Sequence, residues 1–127
     1  MKRGNIVKNN VRLEDHEQAT VEFLLRLGHN IELIPPSSTP GAKTPDFLMD
    51  GVAWEAKSPT GKSIRMTIDR ILHRAARQSQ NIVLDLRRMK NMDEEILPHV
   101  EQRFYMSRRI RKSKVITTSK RVLDYVK

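Results

Sequence analysis

Apolar positions recur along this chain with two periods, one helical and one alternating, and their succession predicts its elements. Between Leu13 and Leu27, Ala19, Val21, Phe23, Leu24 and Leu27 recur at helical spacing behind the early acids Glu14, Asp15 and Glu17, which predicts an amphipathic helix. Gly28 stands where a helix-ending glycine belongs, and Asn30 assists the turn. Ile31-Glu32-Leu33-Ile34 then reads as a strand closed by Pro35-Pro36, and residues 37–43 carry every signal of a loop. A second helix is expected from a Ser63 cap to about Gln80, with Ile64, Ile68, Ile71, Leu72 and Ala75 on its buried stripe. Arg65, Arg70, His73, Arg74 and Arg77 fall on its remaining surface. Asn81–Leu86 is a strand by its apolar run, and residues 93–107 are helical, with Pro98 in the first turn or kinking it. Lys114–Thr118 forms a further strand, and Arg121–Lys127 a terminal strand or helical turn. Residues 1–12 are basic and weakly patterned, an arm or a frayed first element.

The stretch Thr44–Lys57 predicts a β-hairpin. Asp50-Gly51 is the strongest two-residue hairpin turn, because type I′ needs φ > 0 at both central residues. That turn pairs Met49 with Val52, Leu48 with Ala53, Phe47 with Trp54 and Asp46 with Glu55. Opposite residues have Cβ atoms roughly 4.5–5.5 Å apart, so two carboxylates would lie side by side. Strand alternation brings Lys57 to the same face. Adjacent carboxylates repel unless something neutralises them. A hard cation such as Mg²⁺ or Mn²⁺ does so, accepting one or two carboxylates together with phosphate oxygens and water. Lys57 would then orient a water or offset charge at phosphorus. The plainer reading is a surface ion pair contributing about 0–1 kcal/mol.

Composition narrows the partner. The 127 residues suffice for one domain with its own core, and with no cysteine there is neither a disulfide nor a thiolate metal site. No apolar run approaches the roughly 20 residues of a membrane span, and Met1-Lys2-Arg3 is not followed by a signal-type apolar region. A formal net charge of +9 points to an anionic partner, nucleic acid before membrane. Aromatic residues make up only 5%, so contacts to a charged backbone are expected to outweigh base stacking. Arg103, Arg108, Arg109, Arg111, Lys112 and Lys114, preceded by Arg87, Arg88 and Lys90, fit such a backbone track.

Pro45-Asp46, eight intervening residues and then Glu55-Ala56-Lys57 resembles the signature of the PD-(D/E)XK nuclease superfamily. The element order α-β-β-β-α-β-α-β opens as the common core of that superfamily does. The resemblance implies an α/β (α+β) chain, a restriction-endonuclease-like core with a central mixed sheet flanked by helices. It also implies Asp46 and Glu55 as metal ligands and Lys57 as the catalytic lysine. A first-helix glutamate often joins them about three turns before a Gly-hydrophobic pair. Glu17, eleven residues before Gly28, is the candidate third acid, with Glu22 its rival.

Within Glu17–Leu86, the segments Gly28-His29-Asn30-Ile31-Glu32-Leu33-Ile34-Pro35, Lys43–Phe47, Trp54–Ser58 and Arg77–Leu86 are similar to C-terminal tRNase domains of CdiA-type contact-dependent growth inhibition toxins. That family implies metal-dependent tRNA cleavage in the cytoplasm of a target bacterium, opposed by a cognate immunity protein expected to be acidic. The resemblance also places a helix glutamine at the active site, for which Gln78 is chosen over Gln80. Lys43, Ser58, Lys62, Arg74, Arg77, Gln78, Arg108, Arg109, Arg111 and Lys112 complete the expected nucleic-acid contacts. His16 and His73 have no spacing that suggests catalysis. A DNA endonuclease of the same fold, or an inactive nucleic-acid-binding module, are the alternatives.

Overall fold

The computed structural model describes residues 2–61 and 63–127; the expected contact Lys62 lies outside the described residues. The elements run β1 Ile6–Val7, α1 Asp15–Arg26, β2 Ile31–Leu33, β3 Phe47–Met49, β4 Val52–Lys57, α2 Ile64–Ala75, β5 Asn81–Asp85, α3 Asp93–Met106, β6 Lys112–Ile116 and β7 Val122–Val126. All seven strands lie in one mixed sheet in chain order. β1 is parallel to β2, and β4, β5 and β6 are mutually parallel. The β2–β3, β3–β4 and β6–β7 pairs are antiparallel. Each parallel pair requires a crossover, and α1, α2 and α3 supply the three. Among the described residues no helix is long and apolar enough to cross a membrane.

The helices divide the core in two. Val21, Leu24 and Leu25 of α1 pack with Ile31, Leu33, Phe47, Met49 and Trp54. On the other side Ile68, Leu72 and Ala75 of α2 meet Ile96, Val100 and Phe104 of α3. β5 lies between: Ile82 and Leu84 join the α2–α3 cluster and Val83 the α1 cluster. That is why its sequence is an uninterrupted apolar run, as a strand covered on both faces must be.

Several boundaries differ from the expectation. The arm is partly built into the sheet. Gly4 N–H donates to the Leu25 carbonyl (2.8 Å), Asn5 N–H to Asn30 Oδ1 (2.9 Å) and Ile31 N–H to the Asn5 carbonyl (2.9 Å), adding β1 ahead of α1. α1 begins at Asp15, because Glu14 and Glu17 form a reciprocal capping box at its N-terminus. α2 stops at Ala75, short of Gln80; the N–H groups of Arg77, Gln78 and Ser79 turn back to Arg74 and Ala75. Pro98 sits inside an unbroken α3. β6 starts at Lys112, two residues early, since its N-terminal end pairs with Val126 of β7. The C-terminal residues are therefore a strand rather than a helical turn.

Candidate active site

The hairpin turn has the expected backbone, with φ of 52° at Asp50 and 84° at Gly51. His29 Nδ1 (2.6 Å) and Asn30 N–H (2.9 Å) hold the Asp50 carboxylate, pinning the turn to the end of α1. The ladder runs Met49↔Val52, Leu48↔Ala53 and Phe47↔Trp54. It does not continue to a regular Asp46–Glu55 pair. Asp46 N–H donates to the Trp54 carbonyl (3.0 Å), so Asp46 and Phe47 both face Trp54, as in a β-bulge. The bulge re-aims Asp46: one carboxylate oxygen accepts Ala56 N–H (2.9 Å), and the group still meets Glu55.

Glu55 is 3% exposed, and Lys57 Nζ lies 3.1 Å from its Oε2. Its other oxygen, Oε1, is buried without a hydrogen-bond partner. Burial and then the Asp46 carboxylate push Glu55 up to about 7, against the opposing pull of Lys57. Asp46 is also raised, first by burial, with Glu17 adding to the push against Ala56 N–H and Lys57. Of the two, Glu55 carries the shift that reaches neutrality. An acid pair with one orphaned oxygen fits a divalent cation, which would satisfy Oε1 and favour both charged forms.

A cavity of about 160 Å³ opens beside this pair, lined among others by Glu17, Thr20, Asp46, Lys57 and Ser58. Glu17 therefore stands on the site's side of α1, although its Oε1 also accepts Glu14 N–H (2.9 Å). Glu22 turns elsewhere, to Arg3 (2.6 Å) and Arg26 (3.4 Å). Among the described residues no three His, Cys, Asp or Glu side chains converge as a metal cage, so a cation here would rest on Asp46 and Glu55. Ser58 Oγ is buried with no partner next to Lys57, while its carbonyl accepts from Arg88 (3.0 Å).

Two side chains that hold the site together, Thr20 and Asp85, carry no motif in the sequence, and a third, Arg87, was expected on the backbone track instead. Buried Thr20 donates to Asp85 Oδ2 (2.6 Å). Arg87 grips the same carboxylate through Nε (2.9 Å) and Nη2 (2.7 Å), and reaches the Ala19 carbonyl (3.0 Å). Burial opposes the Asp85 charge, but Arg87 and Thr20 outweigh it and hold the carboxyl low. This bracket fastens α1, and with it Glu17, to the C-terminal end of β5. The available signal was an acid directly after the apolar run Ile82-Val83-Leu84.

The expected backbone track does not form one surface. Arg87 is committed to Asp85, Lys114 is buried against Asp124 (2.7 Å) and Arg103 binds Asp69 (2.8 Å). Arg74, Arg77, Arg108 and Arg109 line a different groove, between the C-terminal parts of α2 and α3. Arg111 and Lys112 are exposed at the start of β6, where Arg111 N–H donates to the Gln80 carbonyl (2.7 Å). Gln78 and Gln80 follow the end of α2, and neither lines the acid cavity. Among the described residues of that set, only Ser58 lines it; Lys43 is exposed on the preceding loop.

The model of the contact-dependent growth inhibition CdiA C-terminal domain family matches residues 43–122, well over half of the chain. No curated protein sequence matches. The fold is similar to that in a CdiA-CT/CdiI toxin and immunity complex from Burkholderia pseudomallei, at 17% identity and a TM-score of 0.66, over 98% of this chain and 100% of that one.

Proposed function

The chain belongs to the contact-dependent growth inhibition CdiA C-terminal domain family, and on that premise we propose that it is a toxin: one PD-(D/E)XK-type nuclease domain. It uses Mg²⁺ or Mn²⁺ to hydrolyse phosphodiester bonds of RNA, tRNA first, in the cytoplasm of a target bacterium. The observation that carries this reading is the buried Asp46–Glu55 pair, with an unpartnered Glu55 Oε1 and Lys57 at 3.1 Å. Asp46 and Glu55 would hold the cation, and Glu17 would reach it through water from the cavity wall. A divalent cation bound there supplies Lewis acidity and lowers the pKa of a bound water. Lys57 orients the attacking water and offsets charge developing on the phosphoryl oxygens. Ser58 Oγ donates to the phosphate, and Lys43 steadies the strand on its approach. An acidic immunity protein suits a chain of net charge +9, and the similar fold was solved with its immunity protein.

The test is incubation of the purified protein with total tRNA, ribosomal RNA and single- and double-stranded DNA, each with Mg²⁺, Mn²⁺ or EDTA. Discrete tRNA fragments with either metal and none in EDTA are expected. Nicking of DNA alone would move the substrate to DNA, and no cleavage of any substrate would refute the nuclease reading.

A further inference from the structure

A cavity larger than the one beside the acid pair lies elsewhere. A groove of about 850 Å³ runs between the C-terminal parts of α2 and α3 and shares no lining residue with the acid cavity. Arg70 and Arg74 project from successive turns of α2, Arg77 from the turn that follows it, and Arg108 and Arg109 from the turn after α3. All five are exposed, and among the described residues none has a carboxylate within salt-bridge distance. The groove's one acid, Asp69, is already shared by His99 (2.8 Å) and Arg103 (2.8 Å). Neighbours at i, i+3 and i, i+4 stand roughly 5–6 Å apart, so the α2 arginines form a regular strip of fixed positive charge.

The strip lies far from the chemistry. Lys57 and Asp85 mark the C-terminal ends of β4 and β5, whereas Arg111 N–H meets the Gln80 carbonyl at the opposite, N-terminal end of β5 and β6. α2 runs back from the first end to the second, and its 12 residues are about 18 Å long.

We propose that this arginine groove is a second nucleic-acid site, which grips the sugar–phosphate backbone of the RNA at a distance from the bond that is cut. The inference rests on the nuclease reading only for the identity of the polyanion. Guanidinium groups bind phosphate through paired N–H donors and keep their charge at any relevant pH. Protein interfaces are anchored by aromatic residues. Among the described residues no Phe, Tyr or Trp lines this groove, where six arginines face a single acid, Asp69. Without aromatics it stacks no bases, so its grip is sequence-independent and reads the reach of the RNA rather than its bases.

The test uses the full chain and the variant Arg74→Ala/Arg77→Ala/Arg108→Ala/Arg109→Ala, whose substituted residues are all exposed. Binding is measured in EDTA, without cleavage, by fluorescence anisotropy. The probes are bulk tRNA, a six-nucleotide RNA and polyglutamate. The variant should bind tRNA at least about tenfold more weakly, with a salt dependence shallower by about 2–4 in log–log slope, roughly 0.7–0.9 for each phosphate no longer neutralised. The six-nucleotide RNA, which offers only about five backbone phosphates to share between the two sites, should show a smaller loss. Equal tRNA affinity and slope in both proteins would overturn the proposal. Loss confined to polyglutamate would overturn it in favour of an acidic protein partner. Weakened tRNA binding by the variant of a protein that cuts nothing would support the groove while the nuclease reading fails.

Discussion

At the scale of single residues, Glu55 matters most, because the fold holds a carboxyl where charge is costly. Its pKa rises from 4.5 to about 7 on folding. A raised carboxyl contributes its stabilisation fully below the unfolded value and loses it as pH climbs through the folded one. Without a divalent cation, the protein should therefore lose roughly 2–3 kcal/mol between pH 5 and pH 8, at about 1.4 kcal/mol per pKa unit. Glu55→Gln removes that loss. Thermal unfolding in EDTA should find the variant more stable than the wild type at pH 8 and little different at pH 5; an equal gap at both would contradict the assignment. Mg²⁺ should raise the wild-type midpoint at pH 8 and leave the variant's nearly unchanged. Asp46, Glu55 and Lys57 were legible in the sequence because their relation is local, set by one turn and strand alternation. Their exact pairing was not, since the bulge at Asp46 arises from a backbone hydrogen bond with no residue signature. The spacing to Gly28 led to Glu17 with Glu22 as its rival, but nothing local shows that Arg3, nineteen residues from Glu22, occupies the latter.

At the scale of elements, two contacts place pieces that pattern alone misplaced or left open. β1 is two residues long and flanked by polar sequence, so no periodicity reveals it. Its dock depends on Gly4, where an added Cβ would lie 1.8 Å from the His29 carbonyl oxygen. Gly4→Ala should undock β1, lower the unfolding midpoint and speed exchange of the Ile31 amide, which bonds Asn5, while hairpin amides stay protected. Unchanged Ile31 protection would refute this role. The N-terminus of α3 is tied to the turn between β6 and β7 by Asp93. Its carboxylate accepts Thr118 N–H (2.9 Å), the Thr118 hydroxyl (2.6 Å) and the Ser119 hydroxyl (2.6 Å). Burial opposes its charge, but these bonds hold the carboxyl down to about 2. A lowered carboxyl stabilises above its unfolded value and loses that contribution as pH falls through the folded one. Asp93→Ala should cost about 1.5–3 kcal/mol at pH 7 by denaturant titration, with the gap closing from pH 4 towards pH 2. A gap independent of pH would show that the charge plays no part. The strand and helix order from α1 to β6 was legible because each element carries its own period.

At the scale of the whole molecule, net charge led to the expectation of a polyanion but did not show how the fold distributes its cations. α2 runs opposite to β4 and β5, so Ser58 and Arg77, nineteen positions apart, go to opposite ends of the sheet. That separation follows from topology, and a run of numbers along the chain conceals it. The cationic surface predicts that tRNA affinity in EDTA falls at least about tenfold between 50 and 200 mM salt, and a flat response would contradict a backbone-driven grip. Binding alone does not test the proposed chemistry, which would rest on Asp46, Glu55 and Lys57 of the β3–β4 hairpin. The most direct test is single-turnover cleavage of total tRNA in Mg²⁺ by the wild type and by Lys57→Ala, with circular dichroism to show that both are folded. Discrete fragments from the wild type and a rate at least about a hundredfold lower from the variant are predicted. A folded Lys57→Ala protein cutting at the wild-type rate would contradict the proposed active site.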